Sequence, residues 1–127
     1  MSEPMVIHVD EIEGAHGGVF KPVGRTLGVT AFGVNVEQFP RGHEHYPDHD
    51  HAKDGQEEVY VVLSGQATLT IAGEEHVMRP GSIAFVPPGV SRRFTMPDQG
   101  VQLLAIGGSP NTPFSDIVAA REKAATT

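Results

Sequence analysis

The chain of 127 residues has room for one domain and one hydrophobic core. Sixteen Asp and Glu against nine Lys and Arg give a formal charge of -7, which repels phosphate backbones and anionic headgroups and sets nucleic acid aside as a partner. With no cysteine there can be no disulfide framework, thiolate zinc site or cysteine nucleophile, so any bound metal must be held through nitrogen and oxygen.

Residues 1–26 read as an N-terminal strand or arm. Met1 to Asp10 lack the basic stretch and apolar segment of a secretory signal, and no apolar run in the chain approaches the ~18 residues that span a bilayer, so the expectation is a cytoplasmic protein with no membrane partner. Fifteen glycines and ten prolines, with aromatic residues at only 6%, favour short strands and many turns over long helices. Residues 27–39, LGVTAFGVNVEQF, suit a strand that bends at its glycines and stops at Pro40. Residues 41–56 are polar and turn-rich, with Pro47 and the Asp54-Gly55 turn signal. Residues 59–63 and 67–71 read as a hairpin turning at Ser64-Gly65, and 74–78 and 82–86 as two more strands around Arg79-Pro80-Gly81. Strands at 91–95 and 101–106 bring the total to seven or eight, the rhythm of an antiparallel sandwich or barrel. Only 115–125 reads as helix, with Ser115 placed to cap and Asp116 suited to the N-terminal dipole. The division is an arm at 1–26, a barrel at 27–106 and a tail with a short helix at 107–127, all within one domain.

Four of the seven histidines, His43, His45, His49 and His51, fall within nine residues, where an even spread would place roughly half of one. On a strand, His49 and His51 project to one face, and two neutral imidazoles with a carboxylate from Glu57 or Glu58 make much of a site for a divalent transition metal such as Mn, Fe, Ni, Zn or Cu. The same composition, with Glu44, Asp48, Asp50 and Asp54 nearby, also describes a solvated acidic loop.

The string HDHAKDGQEEVYVVLSG, residues 49–65, resembles the first motif of the cupin superfamily, in which His-x-His precedes a Glu that is followed by six residues and a Gly; Glu58 and Gly65 hold those places. Gly81, Pro87 and Gly89 in GSIAFVPPGVSRRF match the second motif, and Gly65 and Gly81 are only sixteen positions apart. The resemblance implies an all-β, jelly-roll barrel (a double-stranded β-helix) with a pocket in one mouth and, as is often the case among cupins, a homodimer; the short C-terminal helix read from residues 115–125 would follow the barrel. The resemblance assigns the metal to His49, His51 and Glu58.

Two departures from the pattern bear on chemistry. Six residues separate His51 from Glu58, where cupins have three or four, so the chain must turn at Asp54-Gly55; a regular strand would put 51 and 58 on opposite faces. Motif register then turns Glu58, Tyr60 and Val62 inward, with Glu57 as the alternate. At the position of the superfamily's last histidine ligand stands Arg92, which offers only donors and cannot replace an imidazole; the later Asn position is Met96. Arg92 has three readings: paired with Glu58 or Glu57 and plugging the site, gripping a ligand carboxylate, or swung outward with His43 or His45 supplying the missing imidazole. Tyr60, beside Glu58, is a candidate for ligand binding and, with Glu58, for catalysis. Phe32, Phe85 and Phe94 are assigned to core packing, Arg93 to the outside, and His8, His16 and His76 to the surface.

These residues point to a small cupin that binds a divalent metal and a small anionic molecule, either as a mononuclear metalloenzyme of dioxygenase or isomerase type, or as a non-enzymatic binder or sensor whose metal site Arg92 has altered. A metal-free epimerase-like chemistry with a histidine base ranks last.

Overall fold

In a computed structural model, residues 3–44 and 46–126 are described. The turn-rich chain forms eight short strands: β1 (Phe20–Lys21), β2 (Gly33–Phe39), β3 (Glu57–Gly65), β4 (Ala67–Ile71), β5 (Glu74–Met78), β6 (Ile83–Val86), β7 (Arg92–Thr95) and β8 (Val101–Gly108). A 3-10 turn at Val9–Glu11, a one-turn helix α1 (Val23–Leu27) and a C-terminal helix α2 (Phe114–Thr126) complete it. The strands make two antiparallel sheets, one ordered β1-β2-β8-β3-β6 and the other β5-β4-β7. No helix among the described residues is long and apolar enough to cross a membrane.

Strand periodicity decides what lies between the sheets. Along β8, Val101, Leu103, Ala105 and Gly107 are buried in strict alternation, and on β3 Tyr60 and Val62 are each 1% exposed. These meet Ala67 and Leu69 of β4 and Phe94 of β7 from the opposite sheet in one apolar cluster. A fully buried side chain of Leu or Phe type contributes about 1.5–3 kcal/mol. Arg92, at 0% exposure on the same face of β7 as Phe94, contributes nothing of that kind and needs a partner.

Three local expectations change in three dimensions. The strand expected from residue 27 begins at Gly33, because residues 23–27 coil into α1, which ends at Gly28. The run 59–71 is not a hairpin: β3 pairs with β8 and β6, whereas β4 pairs with β5 and β7. Gly65 is the pivot. It has φ +77, and a Cβ there would collide with the carbonyl oxygen of Gly100, so the chain crosses between sheets where a larger residue could not. The strands at 74–78 and 83–86 likewise enter different sheets, and this repeated crossing is the jelly roll. Finally, Phe94 is buried at 1%, but Phe32 and Phe85 are 43% and 56% exposed. Phe85 sits opposite Val59 in the β3–β6 register, on the outer face, because the parity that turns Glu58 and Tyr60 inward turns Val59 out.

Helix α2 starts one residue before the expected 115 and packs the Phe114 ring over Gly33. Arg121 on this helix reaches Asp54 at 2.8 Å, which ties the tail to the loop that carries His51.

Candidate functional site

The site is assembled from two strand ends and one loop. Backbone bonds from His49 N to Arg92 O (3.1 Å) and from Arg92 N to His49 O (2.9 Å) make an antiparallel bridge, and residues directly opposite in such a pair project to the same face. His49 and Arg92 therefore both turn inward. The six-residue spacer folds back on itself, with Gly55 N donating to His51 O at 2.9 Å, and delivers Glu58 to the interior beside Tyr60. Gly107 leaves room there: a Cβ would lie 2.8 Å from Gln56 Oε1 and 3.3 Å from Glu58 Cγ.

His49, His51 and Glu58 each offer one ligand atom, and these lie within 4.8 Å of one another. His51 Nε2 is 2.9 Å and His49 Nε2 3.8 Å from Glu58 Oε1. The other ring nitrogens are anchored: His49 Nδ1 lies 3.2 Å from the Pro47 carbonyl oxygen and His51 Nδ1 3.1 Å from Asp54 Oδ1. A carbonyl oxygen only accepts, so His49 Nδ1 carries a hydrogen, and the Glu58 carboxylate beside Nε2 raises the imidazole and favours a second proton there, a position that a metal ion would take instead. Both rings of His51 and His49 thus need a proton or a cation between Nε2 and the carboxylate. Histidines held by Nδ1 with Nε2 converging on a carboxylate fit a divalent ion, and the donor set of two nitrogens and one oxygen suits a transition metal.

Asp54 is the hub of the supporting shell. Burial alone raises its carboxyl, but bonds from Arg121, from the Gln56 side chain (2.9 Å) and from Gln56 N (3.2 Å) outweigh that and hold it at about 2. It remains an ionised acceptor for His51.

Glu58 Oε1 is crowded by donors: Tyr60 Oη at 2.7 Å and Arg92 Nη1 at 2.6 Å, besides His51. Burial raises the Glu58 carboxyl, and the proximity of His49 with the close contacts of His51 and Tyr60 overcomes it and holds it well below the usual carboxylate range. The Tyr60 hydroxyl is pushed up by burial and by the neighbouring Tyr46 and Glu58, so it keeps its proton as a donor to Glu58. Arg92 Nη2 donates to the Pro87 carbonyl at 3.1 Å, and its Nε is buried without a hydrogen-bond partner among the described residues.

In the structure Arg92 lies inside the barrel against Glu58. It does not swing outward, being fully buried, and its fork is directed at Glu58 and Pro87, not held open for a ligand carboxylate. His43 lies against Phe39, ring centroids 4.9 Å apart, outside the group formed by His49, His51 and Glu58. His45 lies outside the described residues. Glu57 is exposed on the outer face of β3. His8 caps the 3-10 turn, and His76 is exposed beside Glu74; His16 is exposed but borders the cavity described next.

A cavity of about 490 Å³ opens beside His49, lined among others by Phe20, Glu37, Phe39, His43 and Tyr46. Glu37 and Tyr46 escaped the sequence reading. Burial pushes the Glu37 carboxyl up to about 7, with the charge of Glu58 adding and His49 opposing, and its Oε2 is buried without a hydrogen bond among the described residues. Tyr46 lies edge-on between Phe39 and Phe94, with centroids at 5.2 and 5.4 Å, and burial followed by the proximity of Glu37 raises its hydroxyl. One signal for Glu37 was available: it alternates in phase with the core residue Phe39, so a charged residue was falling on an inward position.

The comparisons with known proteins agree with this architecture. The chain is 33% identical over 57 residues to an uncharacterised protein of Streptomyces coelicolor, an alignment covering 45% of this chain and about half, 54%, of that relative. It resembles the crystal structure of a cupin protein from Bacteroides fragilis with a TM-score of 0.69 and 22% identity, covering 87% of this chain and 86% of the other. A sugar phosphate isomerase of the cupin superfamily from Silicibacter pomeroyi matches with a TM-score of 0.69 and 25% identity, over 82% of this chain and 75% of that one. The family model described as the cupin domain matches residues 35–107, which include most of β2, all of β3 to β7 and most of β8 with the whole His49-His51-Glu58 group, and the chain therefore belongs to the cupin domain family.

Proposed function

We propose that this cupin holds one divalent transition metal ion through His49, His51 and Glu58 and binds a small molecule in the adjoining cavity, as a metal-dependent enzyme of isomerase type. The observation that carries the reading is the convergence of two Nδ1-anchored imidazoles on one carboxylate oxygen. Likeness to a sugar phosphate isomerase favours rearrangement over oxygen chemistry. A bound ion would polarise a carbonyl or hydroxyl of the ligand as a Lewis acid. This chain's own residues set the rest: Asp54 and Pro47 fix the ring orientations, Tyr60 and Arg92 fix the Glu58 carboxylate, and the walls of Phe39 and Tyr46 limit water around the ligand.

Untagged protein is expected to carry close to one transition metal ion per chain by elemental analysis. His49→Ala and His51→Ala each lower affinity by more than the ~10–100-fold typical of losing an outer-shell partner. Wild-type protein that holds no metal and shows no thermal shift with Mn, Fe, Ni, Zn or Cu ions would sink the reading. The second reading, a binder or sensor, is favoured by Arg92, whose charge opposes a metal. Candidate ligands incubated with the metal-loaded protein and followed by NMR, which detects isomers of unchanged mass, separate the two.

We further propose a homodimer through the outer face of the five-stranded sheet, where Leu63, Ile83 and Phe85 are 45%, 72% and 56% exposed. A second copy of the same face would cover this apolar surface. Phe85→Glu is expected to weaken self-association at least ~10-fold. Sedimentation that shows a monomeric wild type, or an unchanged dimer in the variant, removes this face as the interface.

A further inference from the structure

Glu37 stands where the fold itself gives a carboxylate no purpose. It lies on β2 opposite Leu103 of β8 and Phe20 of β1, in phase with the core residue Phe39. Its Oε2 is buried and accepts no hydrogen bond among the described residues. An acceptor left this way destabilises the folded state, whereas an apolar side chain of similar size would not. The same carboxyl borders the cavity of about 490 Å³ whose walls include Phe20, Phe39 and Tyr46 and which also reaches His49. No Lys or Arg lines that cavity among the described residues, and Arg92 is committed to Glu58 and Pro87. The oxygen lacks a donor, and the cavity lacks a fixed cation.

We propose that Glu37 is the anchoring residue of the small-molecule cavity, accepting a hydrogen bond from a hydroxyl or ammonium group of the ligand while the aromatic walls take its apolar body. This rests on the reading that the barrel mouth binds a small molecule, and it adds a selection rule. A ligand carboxylate or phosphate at the same place would set acceptor against acceptor, so Glu37 discriminates against anions.

The test uses the full chain, as isolated and after chelator treatment, titrated at pH 8.5 by NMR with cyclohexanol, cyclohexylammonium and cyclohexanecarboxylate. These share one ring and differ in the head group. The alcohol, the ammonium or both are expected to bind at least ~10-fold more tightly than the carboxylate, a difference that disappears in Glu37→Leu. A preference for the ammonium alone assigns an organic cation as ligand class; equal binding of alcohol and ammonium assigns a hydroxylated one. Glu37→Leu is also expected to melt at or above the wild-type temperature, because it removes an unpaired buried acceptor. Carboxylate binding as tight as the others, no binding of any probe, a preference that survives in Glu37→Leu, or a lower melting temperature in that variant overturns the proposal. Because the preference is read equally in chelator-treated protein, failure of the metal site would leave this result standing, and the reverse also holds.

Discussion

Replacing Arg92 by histidine is expected to tighten divalent metal binding by on the order of 100-fold or more. The guanidinium lies 2.6 Å from Glu58 Oε1, the oxygen that would serve the ion. At about 4 Å and an effective dielectric of about 20, one unit charge opposes another by about 4 kcal/mol, and a dication by twice that. Each 1.4 kcal/mol that survives screening is a factor of about 10 in affinity. Histidine removes this repulsion and, because the bridge to His49 fixes the inward direction of position 92, adds a third imidazole on the correct face. Arg92→Met, which removes the charge without adding a ligand, falls between. Competition with a chelator of known affinity measures all three; a histidine variant no tighter than wild type would show that Arg92 is not what limits the site.

Glu58→Gln is expected to destabilise the metal-free protein by about 3–5 kcal/mol, because it leaves the fully buried Arg92 without its anion. For a chain of this size that is a fall in melting temperature of about 10–20 °C. Glu58→Met combined with Arg92→Met should recover most of the loss, since it removes both charges from the interior. The interaction also has a pH signature. The folded-state carboxyl is held below its ordinary range, so the stabilisation is complete above that range and is lost as acid protonates Glu58; Glu58→Gln flattens this acid limb. Thermal melts of the single and double variants from neutral to acid pH check the cycle, and an unchanged melting temperature in Glu58→Gln refutes the buried pair.

These two expectations explain how Arg92 and a metal group occupy one barrel. In the absence of a metal, the guanidinium neutralises Glu58 and lets a carboxylate sit in the core. A metal ion bound at this group would share Glu58 with the guanidinium and so be held less tightly than in a barrel carrying histidine at position 92.

Much of the site was legible because its information is local. The pair His49 and His51 sits at a two-residue spacing, motif register favours Glu58 over Glu57, and the structure brings these three side chains together although residue 51 lies in a loop and not in a strand. Turn chemistry marked the strand boundaries from 67 onward to within one or two residues. Other features depended on which strands pair, and pairing is non-local. That 59–63 and 67–71 enter different sheets follows from the close approach of Gly65 to Gly100, thirty-five positions away, which no hairpin signal encodes. The exposure of Phe85 follows from its register with Val59. The inward turn of Arg92 follows from its bridge to His49. Glu37 was noticed only when Tyr46, Phe39 and His49 closed a cavity around it.

By itself, the sequence determined an all-β barrel with a nitrogen-and-oxygen side-chain group that could hold a metal on one short segment, because periodicity, turn residues and ligand spacing act within a few residues of one another. Only the tertiary structure decided that Arg92 is spent on Glu58 and that an unpaired Glu37 faces the cavity, because a charge takes its meaning from the groups that surround it once water has been excluded.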